Sequence, residues 1–224
     1  MKMLDLFAAA IASGCAVLFT SAYAATPVEN LLNNVGAYGE YAGITNTLGS
    51  SSGGIGVRAE SYWSGIYGNA DISYTPGTLS NTPAGHSTMV NLKLGYGVPI
   101  DSSLVVGPYV GYQYFANTNT VDGFSLTDSN NAVGGGIFAA WAPDSRWGVQ
   151  GQLGYLAGVS SSLSDGAGYG FYQQAANLLN VNAEVDYRIS GPWSLFAGLH
   201  FDHYMESGQS LNLLRGTFGA MLSF

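Results

Sequence analysis

The sequence predicts an all-β chain: a closed antiparallel transmembrane β-barrel of ten strands, with short turns at one end and longer loops at the other. Three observations carry that expectation. Apolar and polar residues alternate with period two in segment after segment, the connections between those segments are short and long in turn, and only 9% of the residues are charged. Soluble domains carry roughly 25% charge, so this composition makes a poor water-facing surface. Disorder does not account for it, because a chain with 15 Tyr, 10 Phe and 4 Trp is too aromatic to stay unfolded.

Residues 1–24 precede the barrel as a secretory signal peptide. Lys2 supplies the positive start, Leu6 to Phe19 the apolar run, and Ala22-Tyr23-Ala24 a small-x-small cleavage site before Ala25. The run is short for a membrane anchor, and no cluster of Lys or Arg follows it. Ser13-Gly14-Cys15 weakly matches a lipoprotein site, but Ala12 stands where that pattern has Leu. Cleavage there would also leave Ala16-Val17-Leu18-Phe19 at the mature terminus. Residues 25–34 read as a short periplasmic segment and 35–224 as the barrel.

Loss of Lys2 and Asp5 leaves the net charge at −8, and the remaining cations Arg58, Lys93, Arg146, Arg188 and Arg215 form no basic patch for nucleic acid. Cys15 leaves with the signal, which excludes disulfides and thiol chemistry from the mature chain.

No later stretch reaches the roughly 18 apolar residues of a membrane helix. Ten alternating segments can be drawn, at 35–44, 54–62, 66–75, 88–98, 104–115, 131–142, 147–157, 177–189, 193–204 and 211–224. The first is the weakest: Val35, Ala37, Gly39 and Tyr41 face lipid and Glu40 points inward. The second turns Arg58 and Glu60 inward. In the third, Ile66, Ala70, Ile72 and Tyr74 alternate with Tyr67, Asn69, Asp71 and Ser73, and the fourth sets Val90, Leu92 and Leu94 against Asn91 and Lys93. The eighth is the clearest, with Leu179, Val181, Val185 and Ile189 between Asn180, Asn182, Glu184, Asp186 and Arg188. At thirteen residues it is close to the roughly 9–11 that a tilted strand needs to cross a bilayer. Eight strands would result if the first segment and a neighbour were misread.

The short connections lie at Trp63-Ser64-Gly65, Pro99 to Ser103, Pro143 to Arg146 and Ser190-Gly191-Pro192. The long ones are Thr45 to Gly53, Pro76 to Ser87, Ala116 to Asn130, Gly158 to Ala176 and Met205 to Ser210. Short periplasmic turns and longer external loops are the pattern of an outer-membrane barrel, which places an exported chain of this kind in the outer membrane of a Gram-negative cell. Trp63, Trp141, Trp147 and Trp193 sit at or beside short turns, and Tyr41, Tyr74, Tyr114, Tyr155 and Tyr204 near the long-loop ends, as two interfacial aromatic girdles would require.

The last segment ends in Phe224, with Leu214, Phe218, Ala220 and Leu222 on its lipid face. A terminal aromatic of this kind resembles the insertion signal of outer-membrane barrels, and that resemblance implies the barrel-assembly machinery as a transient partner. Gly107-Pro108-Tyr109-Val110-Gly111-Tyr112 resembles the central strand of small OmpA/OmpX-type barrels. The pattern covers nearly the whole mature chain and identifies a class.

Chemistry, if any, must sit among the inward residues. Arg58, Glu60, Asp71 and Lys93 are expected to form one charge network, either filling a packed barrel or acting as a selectivity ring. Gly95, Gly97, Gly107, Gly111, Gly134 and Gly136 are candidates to leave lumen space for a pore. His200 and Asp202 share a face with Glu184, Asn182 and Arg215 as neighbours. Omptin-type proteases use an Asp/His pair with further paired carboxylates, but here the order is His-x-Asp and no acidic pair tops an early strand. Lipid A deacylases carry Ser two positions after a His, which is absent. His86, His200 and His203 do not make a metal site, since the last two face opposite sides of one strand. No metal, cofactor or catalytic set is expected.

The expected role is structural or surface-interacting, for a monomer in outer-membrane lipid with a packed, charge-networked lumen. A narrow passive channel for small solutes is the alternative, and a lipid- or peptide-processing enzyme ranks third. N-terminal sequencing of the membrane form should read Ala25 first; an acylated Cys15 would overturn the signal reading. Deleting Phe224 should lower the yield of heat-modifiable barrel in the outer membrane.

Overall fold

The computed structural model describes residues 26–45, 51–76, 84–165, 170–206 and 209–224. The signal-peptide reading and Ala25 fall outside them. The elements are a helix α1 (Pro27–Leu32) and strands β1 (Asn34–Ile44), β2 (Ser51–Trp63), β3 (Ile66–Pro76), β4 (Ala84–Tyr96), β5 (Val98–Pro99) and β6 (Leu104–Val121). There follow β7 (Phe124–Trp141), β8 (Trp147–Asp165), β9 (Gly170–Gln173), β10 (Asn177–Ser190), β11 (Trp193–Glu206) and β12 (Gln209–Ser223). Ten long strands run in ring order β1-β2-β3-β4-β6-β7-β8-β10-β11-β12, each antiparallel to its neighbours, and β12 pairs with β1 from Asn34↔Ser223 to Ile44↔Leu213 to close the ring. The barrel is all-β and ten-stranded, and β5 and β9 are short additions along β6 and β8.

The alternation in the sequence becomes two faces. On β2, Ile55 and Val57 are exposed while Arg58 and Glu60 are buried. On β10, Val181 and Val185 face out and Asn180, Glu184 and Asp186 face in. Each outward apolar residue would be a defect in water and is an asset in lipid. Tight turns hold the register. Ser64-Gly65 and Asp122-Gly123 both have positive φ at both positions, the geometry of the two-residue turn that matches strand twist. In the turn before β6, Asp101 accepts from Ser103 Oγ and the amides of Ser103 and Leu104. In the turn before β8, Asp144 accepts from the amides of Arg146 and Trp147. Those donors hold both carboxyls below the usual aspartate range, the Ser103 bonds leading at Asp101 and the Arg146 amide at Asp144. Their contribution is therefore present above the ordinary aspartate pKa and is lost as pH falls through the lowered one.

Two of the long external connections are themselves β-structure. β6 and β7 continue to Val121 and Phe124 around Asp122-Gly123, and β8 continues to Asp165. Hydroxyl pairs Thr118–Thr127 and Thr120–Ser125, each 2.9 Å apart, join the extended strands. The Asp-Gly dipeptide in the sequence is the signal for this hairpin.

The segment ahead of β1 is also more ordered than expected. Thr26 caps α1: its Oγ1 accepts from the Glu29 amide at 3.3 Å while the Glu29 carboxylate accepts from the Thr26 amide at 2.7 Å. Thr26-Pro27-Val28-Glu29 is a capping box with proline at the first helical position, legible in the sequence. Val28, Leu31 and Leu32 are buried against Tyr62, Tyr67, Val105, Tyr109, Phe138 and Ala140 inside the short-turn end of the barrel. Asn33 fixes the helix to β2, donating to the Tyr62 carbonyl at 3.0 Å and accepting from its amide at 2.8 Å.

The lumen glycines do not leave a bore. A Cβ at Gly95, Gly111, Gly136 or Gly154 would meet Tyr109, and one at Gly97 would meet Val105, Tyr62 and Phe138. Gly107 and Gly134 lie so close to the neighbouring strands that a Cβ would strike the carbonyls of Tyr96 and Tyr155. The expected space is taken by aromatic rings, because a missing side chain on one strand is filled from another. Gly154→Val should therefore displace the Tyr109 ring and cost about 1–3 kcal/mol, read from the denaturant midpoint of the refolded barrel.

Candidate functional site: the barrel lumen

Two arginines organise the interior. Arg58 on β2 makes a two-pronged pair with Glu184 on β10, across the lumen, and its guanidinium lies 4.1 Å over the Phe196 ring. Glu60 stands 3.8 Å and Asp186 3.9 Å from the same guanidinium. Glu60 also accepts from Asn34 (3.2 Å), Tyr67 (3.2 Å), Asn69 (3.0 Å) and Gln150 (3.1 Å). Arg215 on β12 lies between Glu40 on β1 (3.0 Å) and Asp202 on β11 (3.2 Å), both diagonal to it on the adjacent strands. Thr75 donates to Glu40, and Asn180 to Asp202.

The single network expected around Arg58, Glu60, Asp71 and Lys93 is thus divided. Asp71 is directly opposite Arg58 in register but accepts instead from Tyr38 at 2.7 Å and Asn91 at 3.3 Å. Lys93 donates to the neutral Gln152 and sits 5.4 Å from the centre of the Tyr109 ring. Cross-strand register brought Arg58 and Asp71 level, but the long guanidinium reaches the far wall, where Glu184 presents both oxygens. Glu40 and Asp186 are the partners the sequence did not single out. Both have inward parity, yet only the closed ring brings β1 and β10 within reach of the arginines.

His200 and Asp202 are not joined to each other. His200 Nε2 bonds Thr217 Oγ1 at 3.2 Å, and Asp202 is held by Arg215 and Asn180. Neither is arranged as a base and its orienting acid. Among the described residues no group of His, Cys, Asp or Glu is placed to hold a metal ion.

Further struts cross higher up, where Tyr204 on β11 donates to Gln113 on β6 at 2.8 Å. Tyr204 was expected in the outer girdle. It is buried in the lumen instead, because its position shares the parity of His200 and Asp202. Tyr41, Tyr74 and Tyr155 are exposed on the outer wall. Trp63, Trp141, Trp147 and Trp193 are exposed at strand ends on the short-turn rim, and Phe224 closes that rim, its amide donating to the Asn33 carbonyl at 3.2 Å.

No model of a known protein family matches the chain, and neither does any curated protein. Among solved structures it is similar to the outer membrane protease OmpT from Escherichia coli, with 11% identity, a TM-score of 0.58 and coverage of 85% of this chain and 96% of that one. The fold is that of an outer-membrane β-barrel. At this identity the similarity is one of architecture. Neisserial surface protein A also aligns, with 16% identity and a TM-score of 0.42 over 85% of this chain and 96% of that one.

The barrel's pairing makes a specific expectation. A double-mutant cycle on Arg58 and Glu184 should show strong coupling, with Arg58→Ala alone costing about 3–5 kcal/mol because carboxylates are left buried and unpaired. The same cycle on Arg58 and Asp71, which face each other without a direct bond, should show clearly weaker coupling. Equal coupling in both cycles would contradict the divided network.

Proposed function

We propose that this barrel has a structural or surface-interaction role and does not conduct solutes. The observation that carries this reading is the closure of the lumen at successive levels. Helix α1 fills the short-turn mouth, the Arg58–Glu184 pair and the Gln150–Glu60 hydrogen bond cross the middle, Arg215 is held along the wall between Glu40 and Asp202, and Tyr204–Gln113 crosses above them. The central cavity lined by Arg58, Glu60, Asp71, Lys93, Asn182 and His200 measures about 50 Å³, room for a few waters and no solute. The chain reaches its membrane through the signal peptide and the assembly machinery that its terminal Phe224 addresses, and works there as a monomer. It has no catalytic role in this reading, since His200 and Asp202, which share the lumen face of β11, are split between separate partners.

Planar-bilayer recording of the refolded barrel, paired with thermal melting, tests this. Wild type should show no conductance steps, and Arg58→Ala should lower the unfolding midpoint without opening a channel. Steps in wild type, or Arg58→Ala with an unchanged midpoint and altered ion selectivity, would instead establish a hydrated pore in which exposed charges are worth only about 0–1 kcal/mol.

A further inference from the structure

Strand β6 is 18 residues long. At roughly 3.3 Å per residue and a tilt near 40° it climbs about 45 Å, against an apolar band of about 25 Å. The outer ends of β6, β7 and β8, with β9 alongside, therefore stand clear of the membrane as a free sheet. Within the bilayer apolar residues face out and polar ones in. Above it the two faces exchange character.

The outward face carries hydroxyls: Thr118, Thr120, Ser125, Thr127, Ser129 and Ser162, several bonded in pairs at 2.9–3.0 Å, with the phenol of Tyr172 opposite Ser162. The face continuous with the lumen wall carries Phe124 at the start of β7, and Leu126, Leu163 and Phe171 set in cross-strand rows Asn119–Leu126–Asp165 and Asn117–Asp128–Leu163–Phe171. A bulge in β8 makes this possible. Asn131 faces Ser160 and Ala132 faces Gly158, so Val159 drops out of the pairing and the parity of β8 shifts above it. Leu163 is thereby turned to the axial side. Phe124 is 79%, Phe171 73% and Leu126 48% exposed.

An apolar face held toward the barrel axis cannot be satisfied by lipid, and water is its poorest neighbour. Its electrostatic surroundings identify what suits it. Asp122 at the hairpin tip, Asp128, Asp165 and Glu206 are all at this end, whereas every cation of the barrel (Arg58, Lys93, Arg146, Arg188 and Arg215) lies in the lumen or at the opposite rim. The outer end is thus negative beside exposed aromatic rings, a combination that attracts cations to both carboxylates and ring faces and repels polyanions.

We propose that the axial face of this hairpin sheet docks a cationic, amphipathic polypeptide segment. Its apolar side chains lie on Phe124, Leu126 and Phe171, and its Lys or Arg groups on the surrounding carboxylates. The proposal rests on the surface-interaction reading and gives that reading a partner of defined chemistry.

The test uses the mature barrel in zwitterionic nanodiscs and a labelled short peptide of alternating Lys and Leu, with empty nanodiscs and a Glu/Leu peptide as controls. The Lys/Leu peptide should bind the barrel more tightly than empty discs. Binding should weaken with salt and fall about tenfold or more in Phe124→Ser/Leu126→Ser/Phe171→Ser. Heat-modifiable migration shows that this variant is folded, and Phe171→Ser alone serves if it is not. Equal uptake by empty discs, equal binding of the Glu/Leu peptide, or undiminished binding to the serine variants would overturn the proposal. Conductance of the wild-type barrel would defeat the closed-lumen reading but leave this binding intact, so the two failures are distinguishable.

Discussion

Backbone amides and carbonyls have no water to bond inside a hydrocarbon layer, and a sheet can satisfy all of them there only by closing on itself. The β12–β1 pairing does this here, and most other features follow from it. Once the ring is closed, every residue has one of two solvents. Within the membrane odd positions on β1, β2, β7, β10, β11 and β8 below its bulge meet lipid and even ones meet the interior, and the assignment reverses on β3, β4, β6 and β12. A ring of this size has an interior that side chains from opposite walls can span.

That interior is polar, and its polar groups must be answered from within. Carboxylates outnumber cations: Glu40, Glu60, Asp71, Glu184, Asp186 and Asp202 face Arg58, Lys93 and Arg215. The arginines answer several acids each, as a planar guanidinium with five donors can and an ammonium cannot. Neutral amides and hydroxyls from Asn34, Asn69, Asn91, Gln150, Tyr38 and Tyr67 take up much of the remaining acceptor capacity. Buried pairs of this kind add little net stability relative to an apolar core, but they are costly to break. Their effect is to tie the walls together across the bore, while α1 brings apolar cover to the mouth that the pairs do not reach.

Beyond the bilayer the same strands meet water on their outer side, and the residue pattern changes with the solvent. Ser and Thr replace most of the Val and Leu on the outward face, where Tyr172 stands opposite Ser162, and one bulge in β8 turns Leu163 to the axial face that carries Phe124, Leu126 and Phe171. The backbone ladder runs unbroken from β6 to β7 through both environments, so the change of role lies entirely in the side chains.

The period-two pattern of the sequence was enough to determine the fold class, the ten strands and nearly all inward and outward assignments, because the physics behind them is local: successive side chains on a strand point to opposite faces. The Trp rim and the short turns were legible for the same reason. The capping box of α1 and the Asp-Gly hairpin were also written in the sequence, as local signals that alternation alone passes over. Which acid each base would meet was not legible. Arg58 and Asp71 are level in register, yet Arg58 bonds Glu184, more than a hundred residues away along the chain. Likewise Tyr109 fills the space that the glycines appeared to vacate. Those choices depend on the distance across a closed lumen and on which side chains are long enough to cross it, and that distance exists only once the barrel has formed.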